Sequence, residues 1–138
     1  MQAVAAVVAI IVKDERVFAA RCTQGQDATS WEFPAARAEV GESAVEALRH
    51  LARERFGARL STMWLLDTVE PADDASQASL ECYVCFPVPG GEGALNESAQ
   101  GVWVGRDELA DLTWQPQDRR VVEVLGRYWD QIFASTHL

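Results

Sequence analysis

Cys82 and Cys85 are spaced as C-x-x-C, a pattern that binds zinc or exchanges disulfides when both sulfurs meet at one point. Here the pair lies inside the apolar run Leu80 to Val88, which reads as a β-strand. Residues three apart on a strand point to opposite faces of the sheet, so two separate buried thiols are expected rather than a shared site. Cys22 makes the number of cysteines odd at three, and reduced thiols in a cytoplasmic protein are the expectation. The ionisable residues sum to a net charge of -9, which argues against a nucleic-acid polymer as partner, because such binding neutralises phosphates with Lys and Arg. A small nucleotide stays compatible, since local cations or metal ions offset the repulsion.

The elements that must position any site follow from the hydrophobic pattern. Val4 to Val12 and Val17 to Arg21 are β-rich and are separated by the polar turn Lys13 to Arg16, a hairpin signal. A loop from Thr23 to Ser30 leads to Trp31-Glu32-Phe33-Pro34, and a second loop covers Ala35 to Glu42. Ser43 and Glu46 then stand in capping-box spacing and open a helix whose buried stripe is Val45, Leu48, Ala52 and Phe56, with Gly57 ending it. Met63 to Val69 and Leu80 to Val88 are further strands, joined by an acidic turn around Pro71, Asp73 and Asp74. Pro89 to Gly93 marks a loop, Val102 to Val104 a short strand and Arg106 to Leu112 a short helix. Pro116 suits the first turn of a final helix that carries Val121, Val122, Leu125, Tyr128, Trp129 and Ile132 at helical spacing.

With 138 residues and 49% apolar content, the chain suits one core and one domain, 1–138. The opening Ala3 to Val12 is far shorter than the roughly 20 residues that cross a bilayer, and no basic segment precedes it. No membrane association is expected. Strands around one mid-chain helix, with a long helix at the end, describe an α+β fold in which a mixed sheet lies between helices as an α/β/α sandwich.

The stretch Trp31 to Ala58, WEFPAARAEVGESAVEALRHLARERFGA, resembles the Nudix signature. That signature runs Gly, five residues, Glu, seven residues, Arg-Glu, an aliphatic residue, any residue, Glu-Glu, any residue, Gly, aliphatic. Without gaps its first Gly falls on Ala36, its first Glu on Glu42, its Arg-Glu on His50-Leu51, its Glu-Glu on Glu54-Arg55 and its last Gly on Gly57. Trp31 to Pro34 is similar to the WEFP lead-in of the MutT-like branch, and Gly41-Glu42-Ser43 to its Gly-Glu-Thr or Gly-Glu-Ser. Glu97 before Trp103-Val104, and Leu109 to Val122 near the nucleobase pocket, extend the likeness over nearly the whole chain.

The resemblance implies a nucleoside triphosphate pyrophosphohydrolase, acting on a CTP-like nucleotide or oxidised dGTP, with Mg2+ or Mn2+ as cofactor. In the family a helix supplies carboxylates at i, i+3 and i+4 to divalent ions that neutralise phosphate and activate water. Here those positions are Leu51, Glu54 and Arg55, a degenerate box from which weak or lost activity is expected. By resemblance, Glu54 and Glu97 are the candidate catalytic and metal-binding residues, with the carbonyl of Ala36 as a third ligand. Glu39 and Glu42 add charge nearby. Arg55 sets a fixed cation beside Glu54, worth about 4 kcal/mol against a bound cation at about 4 Å and an effective dielectric near 20. It has three options: to pair with Glu54, to swing away, or to reach a phosphate as an arginine fork.

His50 replaces the Arg that braces Glu42 in the family, and either keeps a shorter version of that contact or serves as a plain surface histidine. Phe33 and Trp114 correspond to residues flanking the base, with core filling as the alternative. Asp118 corresponds to a residue that contacts the base edge, and as an ionised acceptor it suits the amine of cytosine. Arg21 and Arg37 are the candidates for phosphate contact, while Cys22 stands where relatives can carry another Arg. The alternative function is a non-catalytic nucleotide- or metabolite-binding module. The expected state is monomer or homodimer.

Overall fold

Strand β1 (Ala6–Lys13) is buried from Val7 to Val12 on both faces, as expected of a central strand covered by helices on either side. The computed structural model describes residues 6–21, 30–69, 79–97, 100–115 and 118–134. Cys22, the acidic turn at Pro71, Asp73 and Asp74, and Pro116 lie outside the described residues. β1 turns into β2 (Arg16–Arg21) through Asp14 and Glu15, both with positive φ, at 52° and 60°. Two such residues form the hairpin turn whose twist matches paired strands.

Along one edge, β1 pairs parallel with β6 (Leu80–Pro87), which pairs antiparallel with β5 (Leu60–Val69). On its other edge β1 divides its pairing. Val12 and Lys13 meet β2, while Ala6 to Val8 meet β4 (Ala35–Arg37), which the sequence alone reads as loop. β2 continues the sheet to β3 (Trp31–Glu32) and to β7 (Gly101–Val104). The two short strands β3 and β4 escape a periodicity reading because two or three residues carry no period; backbone pairing alone defines them.

The sheet separates two cores. Val8, Ile10 and Val12 face the layer of helix α3 (Asp118–Ala134), with Val121, Leu125, Trp129 and Ile132. Val7, Ala9 and Ile11 face helix α1 (Ala44–Phe56), with Leu48, Ala52 and Phe56. This is the expected mixed sheet between helices. Cys82 belongs to the first layer and Cys85 to the second. Both thiols are buried and pushed up to about 12 by desolvation, so neither is a ready thiolate. Among the described residues no helix is long and apolar enough to cross a membrane.

α1 begins and ends where its sequence says. Ser43 Oγ accepts the backbone N–H of Glu46 at 3.1 Å, and the Glu46 carboxylate accepts that of Ser43 at 3.4 Å. Gly57 closes the helix at φ 62°, and its N–H bonds the carbonyls of Ala52 and Arg53. Ala47 is buried, whereas Val45, expected in the stripe, is only half-buried. The apolar face is rotated toward β4 because that strand packs on the helix. We expect Ser43→Ala to lower unfolding free energy by about 1 kcal/mol, measured by urea titration, with no effect if the cap bond is absent in solution.

A short 3₁₀ turn, Gly93–Asn96, follows β6 where a plain loop is expected. A Cβ on Gly93 would lie 2.4 Å from the Phe56 carbonyl oxygen, so only glycine lets this turn dock against the end of α1. Helix α2 (Arg106–Leu109) is shorter than the expected segment to Leu112.

Candidate active site

A cleft of about 180 Å³ opens between α1 and the β4 loop. Its helix wall is Ala47, His50, Leu51 and Glu54, spaced so that all four fall on one face. Ala36, Arg37, Glu39 and Glu42 form the opposite wall. The ungapped register thus brings Ala36, Arg37, Glu42, His50, Leu51 and Glu54 together. Ala36 has no positive φ, so a Cβ where relatives carry glycine strains nothing.

Of the two options for His50, the brace to Glu42 is not the one seen. His50 Nε2 lies 2.8 Å from Glu54 Oε1, one turn along the helix, and both side chains are largely exposed. The Glu42 carboxylate instead accepts the backbone N–H of Glu39 at 3.0 Å. Glu42 therefore braces its own loop, while His50, with a shorter reach than Arg, takes the carboxylate beside it on the helix. Glu97 is exposed at the end of the Gly93–Asn96 turn and does not line the cleft. Trp103 holds that turn by donating from Nε1 to the Leu95 carbonyl and to Asn96 Oδ1, both at 3.2 Å.

Leu51 contributes a hydrocarbon to the cleft and packs against the α1-side core. Of the three options open to Arg55, the structure shows it swung away from Glu54. Its Nη1 donates to Glu32 Oε2 at 3.0 Å and its Nη2 to the Arg21 carbonyl at 3.1 Å. The shift has a simple cause: Glu32 on β3 offers a less exposed partner than Glu54, and the guanidinium also rests 5.1 Å over the Phe56 ring. Glu32 is a site residue that sequence reasoning missed, since nothing local marks a partner 23 positions away.

A divalent ion of this kind needs several convergent oxygen ligands. The helix face offers one carboxylate, Glu54, flanked by a leucine and already paired with an imidazole. Among the described residues no group of three His, Cys, Asp or Glu can hold a metal ion. Glu39, Glu42 and Glu54 line the same cleft but do not form such a group. The donor set does not fit the family's metal centre.

On the other side of the sheet, Phe33 and Trp114 stack directly on one another, with ring centroids 4.5 Å apart and planes 13° from parallel. A base between them would need planes roughly 7 Å apart, twice a carbon contact distance. In this arrangement the two rings therefore fill core, at 2% and 5% exposure, and flank no open slot. Trp114 Nε1 donates to the Leu109 carbonyl at 2.7 Å, and the segment is tied to Trp31 through Trp31 N to Thr113 O and Gln115 N to Trp31 O. Gln115 also donates to the Ser30 hydroxyl.

Asp118 lies beneath this pair at the start of α3, only 3% exposed. Its Oδ1 accepts the Phe33 backbone N–H at 3.5 Å, and its Oδ2 has no hydrogen-bond partner among the described residues. Burial pushes its carboxyl up to about 7, the Phe33 N–H opposes that rise, and the nearby Glu32 charge adds to it. At neutral pH the group is thus divided between acceptor and donor forms, whereas the sequence alone suggests an ionised acceptor. Arg21, at the end of β2, lies with its guanidinium 5.1 Å over the Trp31 ring; Arg37 stands exposed at the cleft.

A two-cored α/β/α sandwich with a carboxylate helix facing a short strand and loop is a Nudix architecture. The NUDIX domain model matches residues 1–125, and the chain belongs to that family. The solution structure of the E. coli ORF135 protein is similar at 26% identity, with TM-score 0.68, covering 93% of this chain and 91% of that one. A MutT NUDIX hydrolase from Burkholderia pseudomallei aligns at 21% identity and TM-score 0.63, over 90% of this chain and 97% of that one. A UDP-X diphosphatase aligns at 20% identity and TM-score 0.72, over 98% of this chain and 65% of that one. No curated protein matches the chain.

Proposed function

We propose that this chain is a nucleoside triphosphate-binding Nudix protein of the MutT-like branch, with a CTP-like nucleotide or oxidised dGTP as ligand and pyrophosphohydrolase activity that is weak or lost. The observation that carries this reading is the pair of contrasting sites. The catalytic helix turns one carboxylate, Glu54, to the cleft, while the base side keeps a buried acid, Asp118, whose Oδ2 has no hydrogen-bond partner among the described residues. A buried polar atom without a partner is costly unless something binds it.

In this reading the base edge meets Asp118 beside the Phe33 and Trp114 rings, and entry requires the 113–115 segment to leave Trp31. Arg21 and Arg37 flank the phosphates. Glu54 is the base for any residual hydrolysis, and Glu97 reaches the reacting phosphate only if the turn carrying it moves. The same donor set favours the second reading, a binding module without turnover.

The test is nucleotide turnover across a broad triphosphate panel with Mg2+ or Mn2+, beside a Glu54→Gln control. The expected rate is below about 0.1 per second, against the ~10 per second typical of enzymes. Residual turnover lost in Glu54→Gln selects the weak hydrolase, and turnover equal to the control selects the binding module. Fast turnover that Glu54→Gln abolishes contradicts both.

A further inference from the structure

We propose that Arg55 is a phosphate-binding residue that stands in for the divalent metal, so that a nucleoside triphosphate binds this protein without metal. The inference rests on the nucleotide reading above and deepens it. It starts from a disagreement: the fold family implies an ion at this helix, and among the described residues no group of three His, Cys, Asp or Glu could hold one. The charge that an ion would supply must come from the chain itself if polyphosphate is to bind a protein of net charge -9.

Arg55 is the cation in the right place. Its helix position is one where relatives present an acid, and its guanidinium lies at the junction of α1, the end of β2 and β3. Glu32, its partner, follows Trp31 and precedes Phe33, and its charge acts on Asp118. The cation therefore sits across Glu32 from the buried acid that would meet a base edge. In this proposal a nucleotide with its base at Asp118 reaches the junction with its phosphates, since Glu32 neighbours both Asp118 and Arg55. Arg21 joins the same corner, since its carbonyl accepts from Arg55.

The guanidinium has five N–H donors in a planar fork, and the two hydrogen bonds seen here engage two of its nitrogens. Its side chain keeps 22% exposure, enough for an incoming oxygen to meet it. Glu32, the Arg21 carbonyl and the Phe56 ring hold Arg55 in place, and phosphate is matched by its fork geometry. Glu32 then acts as a placeholder that holds Arg55 extended and gives way to the stronger anion.

The experiment is calorimetric titration of CTP, and separately of inorganic pyrophosphate, in EDTA and in Mg2+. Both ligands are expected to bind the wild type in EDTA. Arg55→Gln should weaken both by on the order of 10–100-fold, the scale of charge-assisted hydrogen bonds. Glu32→Gln should strengthen both, because the competing carboxylate is gone; a structural salt bridge would give weaker binding instead. Thermal melts of each variant separate lost affinity from lost fold, and Glu32→Gln still decides the matter if Arg55→Gln does not fold.

Binding of CTP that requires Mg2+ and ignores Arg55 overturns the inference and leaves the nucleotide reading intact. Arg55-dependent pyrophosphate binding with no gain from the nucleoside sinks the nucleotide reading and keeps the phosphate site. Absence of binding by either ligand overturns both.

Discussion

Leu51→Glu combined with Arg55→Glu is expected to raise Mg2+-dependent triphosphate hydrolysis by on the order of 100-fold, the scale of one well-placed electrostatic or acid–base contribution. The double variant restores carboxylates at i, i+3 and i+4, on either side of Glu54 along the helix surface. Leu51 lines the cleft, so a glutamate there faces the same space. Arg55 lies one turn further on, and replacing it removes the bond to Glu32 while adding a like charge near that residue. The variant should therefore melt lower than wild type in EDTA and recover on adding Mg2+, since a ligand that binds only the folded state stabilises it. The metal-dependent melt separates two failures. A shift without hydrolysis means that the ion assembles but the water or phosphate is misplaced. No shift means that the site lacks more than the two helix ligands.

The second large effect concerns Asp118. Burial lifts its carboxyl from 3.8 to about 7. Between those values the folded chain holds a proton that the unfolded chain releases, so stability falls as pH rises from about 4 to about 7, and the full penalty remains above 7. A shift of this size corresponds to roughly 4 kcal/mol. Asp118→Asn keeps an oxygen for the Phe33 N–H and carries no charge, so this part of the pH dependence should vanish. The measurement is urea unfolding of both proteins at pH 5 and pH 8. Wild type should lose roughly 2.5 kcal/mol more than the variant across that interval, the rest of the penalty being already present at pH 5. Parallel losses would mean that the carboxylate is solvated or partnered in solution. Ligand binding should run in the opposite direction: a base that donates to the Asp118 carboxylate stabilises its charged form, so affinity for a donor edge such as the cytosine amine should rise as pH passes through about 7.

These effects depend on features of unequal visibility in the sequence. The register of the Trp31 to Ala58 segment was legible because chain spacing survives substitution: Ala36, Glu42, Leu51 and Glu54 meet in one cleft as that spacing requires. The main elements were legible too, since β1 and α3 carry long apolar patterns and Ser43 with Glu46 closes a cap through local bonds. Partner choice was not. His50 selects Glu54 over Glu42, and Arg55 selects Glu32 over Glu54, outcomes set by side-chain reach and by a strand pairing distant in sequence. The closed stack of Phe33 on Trp114 was equally hidden. A pair of aromatics at those positions is compatible with an open slot or a filled core, and only the approach of the 113–115 segment to Trp31 decides between them.

The most direct test of the central claim is calorimetric titration of Mg2+ into the wild-type protein, with Glu54→Gln titrated in parallel. One carboxylate tied to a histidine predicts the same weak, unsaturable heats for both proteins. Saturable binding of an ion to wild type, abolished by Glu54→Gln, would contradict the claim that this helix no longer assembles a metal site.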